Sequence, residues 1–245
     1  MNTATSTPSV PASNASKSAL PRVDLYAPIH KALRLFMIDT LGRVGWLDVS
    51  DAAEVSTTLA QVQGLLDLCR SHLEHENAFV HTALEARRPG ATLRIAGEHE
   101  EHMDAIAALE GDAAALRALP TAAAAHRFYR HLALFVADNF EHMNVEETAH
   151  NAALWATYSD QELLAIEQRL VASIEPAEMA VVLRWMVPAM APAERAEMLR
   201  AMQQEMPVQA FQGVLDVVRP QLNDTAWGKL ARALRIQPAP GLVTA

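Results

Sequence analysis

Cysteine is nearly missing from this sequence. Cys69 stands alone among 245 residues, so no intrachain disulfide can staple the fold and a reducing compartment is the simpler setting. Glycine and proline are sparse, at 9 and 13 residues, and aromatics make up only 5%. That leaves little of the β-branched and aromatic runs a sheet needs, whereas the recurrent Ala, Leu, Met, Glu and Arg favour helix. Positive charge is also short: 20 Lys and Arg against 29 Asp and Glu give a net charge of −9. With no clustered basic residues, a surface for nucleic acid or anionic membrane is not expected. No run of 18 apolar residues occurs, so no membrane span is expected either. Phosphate-cradling glycine loops and serine-nucleophile motifs are likewise missing.

What is present reads as helices with clear punctuation. Residues 1–23 are read as a disordered tail. The stretch MNTATSTPSVPASNASKSA has neither the basic start nor the apolar core of a secretory signal, which points to a cytoplasmic protein. Pro28 suits the first turn of a helix through His30, Leu33, Phe36 and Leu41, ended by Gly42 and Gly45. Asp51 with Glu54 resembles a capping box opening a long second helix that closes at Arg87, Arg88, Pro89 and Gly90. A third helix is expected from Leu93 to Leu109 and a fourth from Thr121 to Thr157. Four such apolar stripes bury themselves only against one another, so residues 24–158 are expected to form an up-down-up-down four-helix bundle, within an all-α fold. After a second capping-box pattern at Ser159 and Glu162, prolines punctuate shorter helices at 160–173, 176–190, 192–205, 207–218 and 223–234. Residues 159–237 are thus expected as a smaller helical region and 238–245 as a tail.

The histidines are unevenly placed. All 10 lie between positions 30 and 150, and the last 95 residues hold none. Two segments share one arrangement, His72-Leu-Glu-His-Glu76 and His142-Met-Asn-Val-Glu146. A spacing of four stacks histidine and glutamate on one helix face. Either pair alone could be an ordinary surface pair. Their neighbours in the apolar stripes, Leu73 and Phe79 around Glu76, Val145 and Ala149 around Glu146, argue that they face the core, where a carboxylate must be paired or bind metal. His30 on the first helix and His99 on the third complete a set in which each helix donates an imidazole. Four histidines and two carboxylates match the needs of two adjacent first-row metal ions, with oxygen and nitrogen donors suiting iron or manganese better than structural zinc. His102 is an additional ligand or a near neighbour. His131, three turns before His142, is expected to look into the bundle one level away. His75, His81, His126 and His150 are expected at the surface. Cys69 and the methionines Met37, Met103 and Met143 are read as core, though the methionines could line a pocket.

The segments IHKAL, HLEHENAFVHTAL, GEHEEHMDAI and NFEHMNVEETAHNAAL together resemble the four helical motifs of hemerythrin-like (HHE cation-binding) domains over roughly residues 24–157. The resemblance implies a non-haem di-iron centre that binds dioxygen or related small ligands. It implies His30 as first-helix ligand, His72 and Glu76 as the second-helix pair, His99 as third-helix ligand, and His142 with Glu146 as the fourth-helix pair. Glu76 and Glu146 would bridge the two irons. The sequence has Met103 four residues after His99, and Glu146 rather than aspartate, so it looks more like the bacterial branch than the invertebrate oxygen carriers.

Three functions are expected to compete. One is a protein that binds dioxygen, nitric oxide or peroxide in oxygen or redox sensing or handling. The second is a di-iron enzyme, for peroxide decomposition or repair of iron centres. The third is a metal-switched interaction module, in which Trp185, Met186, Met190, Phe211 and Trp227 of the C-terminal helices dock a protein partner, though such residues also make ordinary core.

Overall fold

The computed structural model describes residues 22–237; the tail at 238–245 and nearly all of the one at 1–23 lie outside them. Among the described residues every regular element is helical. Helix α1 spans Ala27–Gly45, with Pro28 in its first turn. Helix α2 spans Ala52–His75 and is capped by the Asp51 side chain, which accepts from the backbone N–H groups of Ala53 and Glu54. Glu54 does not close the expected box, because its carboxylate accepts from the Asp48 N–H instead. The chain runs on without a break through a π-helical turn at Glu76–His81 into α3, Thr82–Arg87. Helix α4 covers Leu93–Ala118. Helix α5, Ala122–Val145, passes through a second π-helical turn at Glu146–His150 into α6, Asn151–Thr157.

Helices α1, α2, α4 and α5 close a ring in which each packs on two others, the up-down bundle the apolar stripes require. Leu59, Leu66, Ile106, Phe128 and Leu132 fill its interior at 1% exposure or less. Helix α4 is two turns longer than its glycine suggests. Gly111 sits inside it with open space around its Cα, while Ala113 and Leu116 extend the buried stripe of Ile106 and Leu109. Burial of that stripe outweighs the roughly 1 kcal/mol a helical glycine costs.

The remainder forms α7 (Asp160–Ser173), α8 (Pro176–Ala189), α9 (Pro192–Glu205), α10 (Val208–Val218) and α11 (Asp224–Leu234). Ser159 and Glu162 make a reciprocal capping box at α7. Helix α8 lies along α1 and α2, with the Trp185 ring stacked on Phe36 at a centroid distance of 4.0 Å. Its last carbonyls are bonded by a buried side chain: the Arg195 guanidinium donates to the oxygens of Val187, Pro188 and Met190. Phe211, Leu230 and Trp227 fill a second core among α8–α11. A third apolar cluster joins the outer end of the bundle to α7, through Val80, Leu84, Leu154 and Ile166. Arg22, expected in the tail, is fixed there by hydrogen bonds to Asp160 and to the carbonyls of Trp155 and Tyr158.

Candidate metal centre

Two groups of side chains meet inside the bundle. His30, His72, Glu76 and Glu146 form one, and Glu76, His99, His142 and Glu146 the other; within each group, the potential ligand atoms lie within 4.8 Å of one another. Both are products of helical spacing. His72 and His142 end α2 and α5 one turn before the two glutamates, and their Nε2 atoms lie 3.3 Å from Glu76 Oε1 and Glu146 Oε2 respectively. His30 enters from α1, with Nε2 at 3.5 Å from Glu76 Oε1 and 3.4 Å from Glu146 Oε2. His99 enters from α4, with Nε2 at 3.6 Å from Glu76 Oε2 and 3.7 Å from Glu146 Oε1. All six residues singled out in the sequence are thus brought to one place.

The outer nitrogens fix the rings. His30 Nδ1–H donates to Glu147 at 3.0 Å and His142 Nδ1–H to Glu98 at 3.0 Å. His99 Nδ1–H donates to Asn77 Oδ1 at 2.9 Å. Placing the proton on Nδ1 leaves a lone pair on Nε2 aimed inward, the usual device for orienting a metal-binding imidazole. Arg34 and Arg94 in turn anchor Glu147 and Glu98. His72 differs: among the described residues nothing hydrogen-bonds its Nδ1, and its side chain, 9% exposed, is the least enclosed of the six.

The inward atoms make a poor hydrogen-bonded core. All four oxygens of Glu76 and Glu146, with His30 Nε2 and His72 Nε2, are buried without a hydrogen-bond partner. Such orphans are costly unless a cation satisfies them. The electrostatics agree. Burial, and then the Glu146 charge, push the Glu76 carboxyl up to about 8. Burial also raises Glu146, but His142 and His99 outweigh it and hold that carboxyl well below the usual range. Burial disfavours charge on His30, yet Glu147 and Glu76 raise it to about 9. His72 is driven well below its ordinary value by burial and then by His30. Without a metal the cluster approaches neutrality by holding protons on Glu76 and His30 against the charge of Glu146; a cation would displace those protons, and four imidazole nitrogens with two carboxylates fit divalent first-row metals.

Several expected positions are corrected. His81 and His150 are buried, at 5% and 3% exposure, where the surface was expected. For His81 the cause is the π-helical turn that begins at Glu76, whereas His150, four residues after Glu146, shares that glutamate's face by ordinary helical spacing. A π turn bonds i to i+5, so the residue five after Glu76 comes back beneath it instead of rotating out. His81 and His150 thereby form a third group with Glu146, and His150 Nδ1 accepts the Tyr26 hydroxyl at 3.1 Å. His131 does not look into the bundle; its side chain is 51% exposed and bonded to Asp112. His126 is exposed as expected, while His75 is half-buried beside Ser71 and Glu178. His102 is a near neighbour, its buried ring edge-on to His142 at 4.8 Å. Cys69, Met37 and Met143 are core residues.

A comparison of the chain with protein-family models, with curated proteins and with solved structures finds no match. No helix among the described residues is long and apolar enough to cross a membrane. The all-α bundle and its two buried clusters of histidine and glutamate, each able to chelate a metal ion, are consistent with a hemerythrin-like di-iron fold.

Proposed function

We propose that the chain holds two metal ions, iron by preference and manganese as an alternative, and binds dioxygen, nitric oxide or peroxide there in oxygen or redox sensing or handling. In this reading His30 and His72 would hold one ion and His99 and His142 the other, with Glu76 and Glu146, common to both groups, available to each. One observation carries it: each carboxylate belongs to both four-residue groups, and none of its oxygens has a hydrogen-bond partner. The bacterial branch of the hemerythrin-like family is the closest fit to the glutamate pattern.

An iron pair, when bound, supplies the electrons and the open coordination that small oxidising ligands need. The chain's own groups do the rest. Glu147, Asn77 and Glu98 hold three imidazoles in orientation. Burial of His30, His99, His142 and Glu146 excludes bulk water from all but the His72 side. The Tyr26 hydroxyl, kept protonated by burial and then by Glu76, donates to His150 at the edge of the site.

A specific observation favours a second reading, a di-iron enzyme: a cavity of about 990 Å³ opens onto His72 and Glu76, more room than a diatomic ligand needs. The third reading, a docking module, loses its surface. Phe211 and Trp227 are core, Trp185 is stacked on Phe36, and Met190 is buried.

Anaerobic protein loaded with iron and exposed to air separates these readings. An optical change that reverses on deoxygenation supports binding and sensing. Irreversible decay shifts the assignment to an enzyme, and no change with either air or nitric oxide overturns the small-ligand reading.

A further inference from the structure

The cavity on the His72 side is built by the C-terminal helices. Bundle residues Leu68, His72, Glu76 and Val80 form one wall, and α7, α8 and α9 supply the opposite one. At about 990 Å³ it lies at the upper end of the roughly 300–1,000 Å³ of drug-sized ligand sites. The far wall is flexible and aliphatic, with Leu170, Met179, Met186, Met190, Met198 and Met202 on it. Such a surface adapts to an unbranched chain better than to a rigid ring. His99 and His142 do not line it, so a molecule in this chamber meets the metal centre only at its His72 face, where the imidazole has no outer hydrogen bond to hold it.

Charge around the chamber is one-sided. Its cations are already engaged, Arg22 with Asp160 and Lys31 with Glu194. Among the described residues Glu167 and Glu197, which also line it, have no hydrogen-bond or ion-pair partner. Glu167 is half-buried, and its carboxyl is raised by that burial alone. Glu178 adds a further carboxylate, shared with Ser71 and His75. A carboxylate-headed lipid would bring like charge to these groups, whereas an ammonium head would pair with them.

We propose that this chamber binds a long-chain aliphatic amine, with the ammonium drawn to its unpaired carboxylates, Glu167 or Glu197, and the chain running along the methionine wall toward His72. The assignment rests on the metal reading only for what lies at the inner end; the chamber itself needs no metal.

Calorimetric titration of the full chain with dodecylamine, dodecanol and dodecanoate, in metal-loaded and metal-stripped protein, tests it. One dodecylamine per chain is expected in both forms, bound at least about tenfold more tightly than dodecanoate. Met186→Trp, which narrows the chamber along its methionine wall, weakens dodecylamine and dodecanol alike. Should that variant fold poorly, Glu167→Lys with Glu197→Lys, neither in the core, reverses the preference toward dodecanoate and leaves dodecanol unchanged. No saturable binding, equal binding of amine and carboxylate, or indifference to both sets of variants overturns the proposal. Metal content is measured on the same samples: two ions taken up with no amine binding sinks the chamber alone, and amine binding by protein that takes up no metal on loading sinks the metal reading alone.

Discussion

His99 Nε2 and His142 Nε2 face one another at 3.1 Å, and each ring has its Nδ1–H turned outward to an acceptor. In the metal-free chain a proton held between the two nitrogens joins them as a hydrogen bond, and a metal ion would take that proton's place. On the proposed metal reading, the acceptors Asn77 and Glu98 orient the two imidazoles and would act on metal affinity without touching the metal. Glu98→Gln and Asn77→Ala are expected to weaken the second ion by about 10–100-fold, leaving the His30 and His72 ion in place. Competition with a chelator reads this, and equal loss of both ions would show that the two clusters do not act separately.

Metal-stripped protein should be sensitive to mild acid. Burial, and then neighbouring histidines, hold His81 and His102 at about 4, against 6.5 in an unfolded chain. Below 6.5 the unfolded chain takes up protons at both residues that the folded chain refuses, so the stability they contribute is full above 6.5 and falls away toward 4. Glu76, raised to about 8, works the other way, since the folded state then holds a proton the unfolded one lacks. His30, raised to about 9, and His142, also raised, work with Glu76 near pH 7, where the unfolded imidazoles are still mostly neutral, and drop out of the balance well below 6.5, where they are charged in both states. His72 and His150 are lowered as well, by burial first, so four histidines against one carboxyl leave a net loss on acidification below 6.5, at most about 1.4 kcal/mol per pH unit for each unbalanced proton. Urea midpoints at about pH 7 and pH 5 measure it, and His102→Gln should flatten the difference. A midpoint that does not change would contradict the assignment.

Cys69 supplies a probe of the core rather than of the chemistry. Burial alone pushes its thiol up to about 12, and it sits in the apolar stripe of α2. Since the thiolate is the reactive species, a thiol reagent should label the folded protein only as fast as α2 opens. Labelling is expected to accelerate with urea in parallel with unfolding; rapid labelling of native protein would place the thiol elsewhere.

Much of this was legible in the sequence because it rests on local spacing. Prolines at 176 and 192 and the cap at Ser159 mark helix starts that the structure reproduces, and a spacing of four puts His72 with Glu76 and His142 with Glu146. The burial of His81 was not legible, because a constant helical period is assumed in reading a face and a π-helical turn breaks that period at Glu76; His150, at i+4 from Glu146, follows the ordinary period and was misread. A signal did exist: both glutamates are followed, five and four residues on, by another histidine. His131 was misread for the opposite reason. Three nearly whole turns separate it from His142, but Asp112 across the interface captures it at the surface. The chamber has no local signature at all, since its walls come from α1 and α2 and from helices a hundred residues further on.

The most direct test of the central claim is a titration of ferrous iron into metal-free protein under anaerobic conditions, with bound iron counted per chain in the native sequence and in a Glu76→Ala, Glu146→Ala double variant. Bridging by carboxylates shared between both histidine pairs predicts two irons per chain, and loss of tight binding at both positions together in the variant. A single iron in the native protein, or two retained by the variant, would contradict it.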